Sequence, residues 1–127
     1  MAGEMTEVVQ RMFDALDKTD AQGAVATIGP DAQGIDEISR RWMRSRDELT
    51  GYVTQLMEMA TDVHSEMHDV HEVEWGDTGA VTFWLEQDYT LEGEREHISA
   101  PTTCVLRRED GEWKLALFHS LPLATEP

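Results

Sequence analysis

The chain has 127 residues and a mass of 14.4 kDa, so a single domain over 1–127 is predicted. Its 10 basic and 26 acidic residues give a formal net charge of −16. Nucleic acids and anionic membrane surfaces are therefore not expected as partners, because binding to either needs positive charge. The longest aliphatic or aromatic run, 115–118, is far too short to span a membrane.

The charged residues also suggest an environment. Only Lys18 and Lys114 are lysines, and the excess of carboxylates suits concentrated salt, where the Debye length falls to about 3 Å. The alternative is an acidic protein from a GC-rich genome, which also favours Arg over Lys. The acidic N-terminus lacks the apolar segment of a secretion signal. The single cysteine, Cys104, excludes an intrachain disulfide and fits a reducing compartment, so a cytoplasmic location is expected.

The N-terminal part of the chain has the spacing of amphipathic helices. A first helix is predicted over 4–18, and a second opens at the capping box Thr19-x-x-Gln22 and stops at Gly29-Pro30. On the first helix the apolar residues recur every three or four positions, at Val9, Met12, Phe13 and Leu16.

The segment 31–44 is predicted to be irregular, with room for two short strands around 32–35 and 42–44. A second capping box, Ser45-x-x-Glu48, then opens a third helix that ends near residue 60.

Beyond residue 60 the hydrophobic period changes to two, which is typical of strands. A sheet that is apolar on both faces needs a cover on each. Three helices cover one face, and a second copy of the chain is expected to cover the other, which predicts a homodimer through the sheet face. The fold class is thus α+β, a cone of three N-terminal helices packed on a curved, mostly antiparallel sheet. Its four strands are predicted over 62–75, 80–91, 95–108 and 112–121.

Several short motifs support this order of elements. The ending Gly111-Glu112-Trp113-Lys114-Leu115, followed by Phe118-His119-Ser120, resembles the last strand of the SnoaL-like and DUF4440 branches of the NTF2-like (cystatin-like) superfamily. Two further segments, Asp31-Ala32 followed by Asp36, and Ala100-Pro101-x-Thr103, resemble ketosteroid isomerase, as does Val8-Val9-Gln10-Arg11. The resemblance covers about 5–123.

The resemblance implies roles for individual residues. Asp36 stands at the position of the general base. Met12 stands where the family has an oxyanion-hole tyrosine, and Thr103 where it has a protonated aspartic acid. Loss of one such donor lowers the rate about 10²–10³-fold, so steroid isomerisation is disfavoured.

Asp36 and His119 are the candidate catalytic residues, because a carboxylate beside an apolar cavity and an inward-facing imidazole can both move protons. The alternation of the last strand groups His119 with Leu115 and Leu117, and Phe118 with Ala116, and either set could face the cavity. The candidate ligand-binding residues are Met12, Leu16, Trp42, Tyr52, Leu56, Thr103, Val105 and Phe118.

Three histidines lie close together in the sequence. On a helix His64, His68 and His71 would share one face at metal-ligand spacing, whereas on a strand His71 points away from the other two. The strand is favoured, so neither a metal nor a cofactor is expected. Cys104 is expected to be a buried, inert thiol.

Two functions remain open, with a metal-dependent protein that uses the histidines as a lesser third. The first is a pocket protein for a small apolar molecule, with Asp36 abstracting a proton next to a carbonyl. The alternative is a non-catalytic module for homodimeric association or ligand sensing, which the missing oxyanion donors favour.

Overall fold

The computed structural model describes residues 3–124; residues 1, 2 and 125–127, which the predicted domain includes, lie outside this part. The α+β class is confirmed. Within 3–124, no helix combines the length and the apolar composition needed to cross a membrane. In chain order the elements are α1 (Glu4–Asp17), α2 (Ala21–Val25), β1 (Ile28–Asp36), α3 (Arg46–Met59), β2 (Ala60–Trp75), β3 (Thr78–Leu91), β4 (Glu94–Glu109) and β5 (Glu112–Ser120).

The five strands form one sheet in the order β1-β5-β4-β3-β2. Strands β2 to β5 are an antiparallel meander, as predicted, and β1 joins β5 in parallel. The helices pack on one side of this sheet, called here the inner face, and the opposite side is the outer face. Met5, Val9 and Phe13 of α1 are at most 1% exposed, and the Phe13 ring meets Phe83 of β3 edge-on at 5.9 Å. The core therefore lies between α1 and the inner face.

A one-residue bulge in β5 determines which side chains face the core. Leu115 pairs with Leu106 and Leu117 with Val105, so the register skips Ala116. Strand residues alternate between faces, and an extra residue reverses the alternation. Leu115 is therefore inward before the bulge, and Phe118 is inward after it.

The segment between α1 and α3 differs from the prediction. Asp20, rather than Thr19, caps α2, and its Oδ1 accepts a hydrogen bond from Gly23 N at 3.0 Å. The helix ends at Val25, so Gly29-Pro30 does not terminate it.

Gly29 and Pro30 lie instead inside β1, which replaces the two short strands predicted for 31–44. Proline lacks an N–H donor and is tolerated here because β1 is an edge strand whose register with β5 is interrupted between Ile28 and Gln33. Met43 forms only an isolated bridge with Gly34. The predicted cap of the third helix is confirmed, since Ser45 Oγ accepts from Glu48 N at 3.1 Å.

We predict that the substitution Gly79→Ala destabilises the fold. A Cβ at this position would press on the Met5 thioether and lie 2.7 Å from the carbonyl oxygen of Val73. The free energy of unfolding, measured by urea titration, should fall by about 1–3 kcal/mol because the extra methyl overpacks the core. The control is Gly51→Ala on α3, which meets nothing within 4 Å and should raise the free energy of unfolding by about 1 kcal/mol. Equal stabilities for the two variants would contradict this packing.

Candidate functional site

An apolar cavity of about 80 Å³ lies between the inner face and helices α1 and α3. Met12 and Leu16 of α1, Leu56 of α3 and Phe118 of β5 contribute to its wall. Polar groups lie among the lining as well, and these are Asp36, Glu37, Tyr52, Gln87 and Ser120.

Asp36 is the last residue of β1, and its carboxylate is held by local hydrogen bonds. Oδ1 accepts from Ile38 N at 3.1 Å and from Ser39 N at 2.8 Å, and Asp36 N donates to Ser39 Oγ at 3.1 Å. This is the pattern by which an aspartate stabilises a turn that follows it. The same carboxylate thus fixes the turn over 36–39 and lines the cavity.

Tyr52 of α3 reaches the carboxylate from the opposite side. Its hydroxyl lies 2.9 Å from Oδ1 and 3.0 Å from Oδ2 of Asp36 and donates to them. Among the described residues, Tyr52 is the only donor to Oδ2, whereas Oδ1 also accepts two backbone N–H groups. Oδ2 is therefore the oxygen with a lone pair left to accept a proton.

A second phenol and carboxylate pair lies beside the first. The Tyr89 hydroxyl of β3 donates a short hydrogen bond to Glu37 Oε1. Burial raises the pKa of Tyr52 above its ordinary value of 10.0, and the charge and hydrogen bond of Asp36 add to the rise. Burial and then the Glu37 hydrogen bond likewise raise the pKa of Tyr89. Both phenols are consequently proton donors throughout the neutral range.

The structure brings six of the ten predicted site residues to this cavity and leaves four away from it. Thr103 and Val105 are on the outer face of β4, because Cys104 between them is fully buried on the inner face. His119 pairs with Thr103 across β4 and β5 and shares its face, and its ring lies 6.0 Å from that of Trp42. The six in the lining are Asp36, Met12, Leu16, Tyr52, Leu56 and Phe118.

The position of Thr103 removes a role that the resemblance implied for it. Its hydroxyl cannot reach the cavity, and the neighbouring inward hydroxyl of Thr102 shares a hydrogen bond of 2.8 Å with Ser120 Oγ. Met12 carries only a thioether, which cannot donate. The strong hydroxyl donor closest to the candidate base is therefore that of Tyr52.

Sequence reasoning missed Glu37, Gln87, Tyr89 and Ser120. Nothing in the sequence links Tyr89 to Glu37, which lies 52 positions away. Glu37 directly follows the candidate base in the sequence, and this adjacency could have predicted that Glu37 lies at the site. Ser120 faces inward only because of the bulge at Ala116.

The three histidines of β2 also depart from the prediction. The register shifts between His68 and His71, so His71 faces the same side as His64 and His68 rather than away from them. In residues 3–124, no group of three or more His, Cys, Asp or Glu side chains is arranged to hold a metal ion. Cys104 is fully buried, and burial raises the pKa of its thiol.

The sequence matches the family model of the SnoaL-like domain over residues 5–124. The chain belongs to the SnoaL-like domain family. This confirms the resemblance to the NTF2-like superfamily. No curated protein matches the sequence significantly.

Solved structures share this SnoaL-like fold at low sequence identity. An NTF2-like protein from Streptomyces avermitilis, a proposed dehydratase, is 18% identical with a TM-score of 0.88, covering 96% of this chain and 95% of that one. A ketosteroid isomerase-like protein from Erwinia carotovora atroseptica is 18% identical with a TM-score of 0.80, covering 96% and 95%. A protein from Caulobacter vibrioides with a cystatin-like fold is 17% identical with a TM-score of 0.81, covering 96% and 92%.

We predict that neither tyrosine of this SnoaL-like domain ionises at its ordinary pKa while the fold is intact. Tyr52 and Tyr89 are the only two tyrosines, and both pKa values are raised. Their contribution to stability is therefore fully present below about pH 10 and is lost as the pH rises towards the raised values. Tyrosinate absorbance should stay flat through about pH 10 in the native protein and rise there in denaturant. One phenol ionising near pH 10 in the folded state would contradict the site geometry.

Proposed function

We propose that this domain binds a small apolar carbonyl compound and abstracts a proton next to the carbonyl, with Asp36 as the base. The observation that carries the proposal is the Asp36 carboxylate, which lines a mostly apolar cavity with Oδ2 bonded only to Tyr52 among the described residues. A carboxylate held in such a place can accept a proton from the carbon of a bound ligand.

The cavity limits the size of the ligand. Its volume of about 80 Å³ is smaller than a 150 Å³ engineered cavity that accommodates benzene. We therefore propose a ligand no larger than a short branched ketone. A polycyclic ligand would need α1 or α3 to move outward.

The proposed step takes one proton and returns it. Asp36 Oδ2 accepts the proton from the α-carbon, and the electron pair of that C–H bond moves towards the carbonyl oxygen. The protonated carboxyl then gives the proton back, to the same carbon or to a conjugated one. Tyr52 holds the carboxyl in place by its two contacts. The fold is shared with a proposed dehydratase and a ketosteroid isomerase-like protein. This likeness supports the proposed class of chemistry by analogy.

We predict that Asp36→Asn strongly slows the exchange of hydrogen for deuterium at the α-carbon of the ligand while preserving the fold. The Asn side-chain oxygen still accepts the Ile38 and Ser39 N–H groups, whereas its amide nitrogen cannot accept a proton. Small apolar ketones would first be screened by thermal shift, since a ligand of the native state raises its stability. A ketone that shifts the midpoint would be incubated in heavy water, and deuterium entry at its α-carbon followed by NMR.

The exchange rate should fall about 100-fold or more in the Asp36→Asn variant. The matched control is Asp31→Asn, because the Asp31 side chain on the same strand is 83% exposed, and it should exchange at the wild-type rate. Unchanged exchange in Asp36→Asn, or equal loss in both variants, would refute the assignment of Asp36.

A second candidate function is non-catalytic association, favoured by the outer face. Trp84 is 39% exposed, and Val73 and Trp75 are 44% and 60% exposed. Exposed aromatic and aliphatic groups on a sheet face are typical of protein interfaces. We propose that a second copy of the chain covers this face.

Association through the outer face predicts a particle of twice the 14.4 kDa chain mass in sedimentation experiments. Trp84→Ser should raise the dimer Kd about tenfold or more, since central aromatic residues carry much of an interface's affinity. Met59→Ser, at the end of α3 and 42% exposed, is the control and should leave the Kd unchanged. A single-chain mass for the wild type would rule this association out.

A further inference from the structure

All five histidines of the chain lie on the outer face of the sheet. Residues directly opposite each other on neighbouring strands point to the same side, and the pairs His64 with Asp88, and Asp88 with His97, place three side chains together. His68 is opposite Trp84, and Trp84 is one of the exposed aromatic residues of this face. The histidines are His64, His68 and His71 on β2, His97 on β4 and His119 on β5.

His97 lies between two carboxylates of β3. Its Nδ1 is 2.7 Å from Asp88 Oδ1, and because a carboxylate only accepts, Nδ1 carries the hydrogen. Its Nε2 faces Glu86 Oε2 at 3.8 Å. That oxygen is buried and has no hydrogen-bond partner within the described residues.

The neutral form of His97 leaves this arrangement incomplete. With the hydrogen on Nδ1, the Nε2 lone pair points towards an unpartnered carboxylate oxygen, which is an unfavourable contact. A proton on Nε2 instead places a positive charge 3.8 Å from Glu86 Oε2, within ion-pair distance. Protonation therefore completes a bridge from Asp88 through His97 to Glu86.

The histidines of β2 repeat the pattern. Glu66 lies between His64 and His68, with Nε2 to carboxylate distances of 2.9 Å and 3.1 Å. The hydrogen bond to Glu66 raises the pKa of His64, and the two histidines lower the pKa of Glu66. His71 Nε2 is 3.3 Å from Asp69 Oδ1.

The charge of the face therefore depends on these protons. Around His97, β3 contributes Glu86 and Asp88, β2 contributes His64 and Glu66, and β4 contributes Arg95, whose guanidinium donates to Asp62 O and Thr90 Oγ1. With neutral imidazoles the acids dominate, and two copies of a chain of charge −16 repel each other. When the five imidazoles are protonated, positive charges lie between the carboxylates of this face.

We propose that protonation of this histidine and carboxylate face controls its association with a second copy of the chain. The inference rests on the association proposed above. In a two-fold interface each copy presents the same acidic pattern, so protonation of the imidazoles lowers the negative charge that the two copies bring together. Association then strengthens as the pH falls through the range in which histidines titrate.

The test is the dimer Kd by sedimentation equilibrium between about pH 8 and about pH 6, at constant potassium chloride concentration. The Kd should fall about tenfold or more towards the lower pH, since proton uptake linked to association favours the dimer. His97→Gln retains a donor to Asp88 but cannot gain charge, and it should flatten this dependence. The matched control is His119→Gln, because His119 is the one histidine without a carboxylate within 4.0 Å in residues 3–124, and it should keep most of the dependence.

The outcomes separate the proposals. A dimer whose Kd is the same at both pH values overturns the control by protonation and leaves the dimer standing. A single-chain mass at every pH overturns the association and this inference together, and leaves the proton abstraction by Asp36 untouched. Equal pH dependence in wild type and His97→Gln removes His97 from the mechanism. Circular dichroism of each variant checks that the fold is retained.

Discussion

The proposed division of this domain into a ligand-binding inner side and an associating outer side depends on the bulge at Ala116. Without it, strict alternation along β5 would point His119 inward with Leu115 and would turn Phe118 and Ser120 outward. With it, the cavity receives an aromatic wall and a hydroxyl, and the imidazole joins the outer face. A local irregularity of one residue thus determines which functional groups each face carries.

Asp36 combines an observed structural role with the chemical role that we propose for it. Its Oδ1 is occupied by the turn that leads out of β1, and this fixes the carboxylate without consuming Oδ2. Tyr52 restrains the other side, and its raised pKa keeps it a donor rather than a competing anion. These contacts fix the position of the carboxylate, and such positioning is what the proposed proton transfer would require. The adjacent pair of Glu37 and Tyr89 repeats the same phenol and carboxylate arrangement, and Glu37 also lines the cavity.

Hydrophobic periodicity predicted helix α1 and the four-strand meander, and the capping box at Ser45 predicted the start of α3. The sequence was also sufficient to place Asp36, Tyr52 and Met12 around one cavity once the resemblance supplied the order of elements.

Most of the errors have a common cause. Pro30 inside β1 is tolerated only at a sheet edge, and the facing of His71 and His119 depends on bulges. Edge position and bulges arise from pairing between distant segments, which local sequence patterns do not encode. Thr103 was misassigned because a motif resemblance was given more weight than the alternation of its own strand.

We propose that ligand chemistry takes place in the inner cavity and not on the outer face. A crystal structure of the domain with a small ketone that stabilises it would test this. The ketone is expected between Met12 and Phe118, with its α-carbon against Asp36 Oδ2 and Tyr52 still bonded to the carboxylate. A groove on the outer face is lined by Trp84, Thr103 and His119, among others. A ketone bound in that groove, with the inner cavity unchanged, would contradict the proposal.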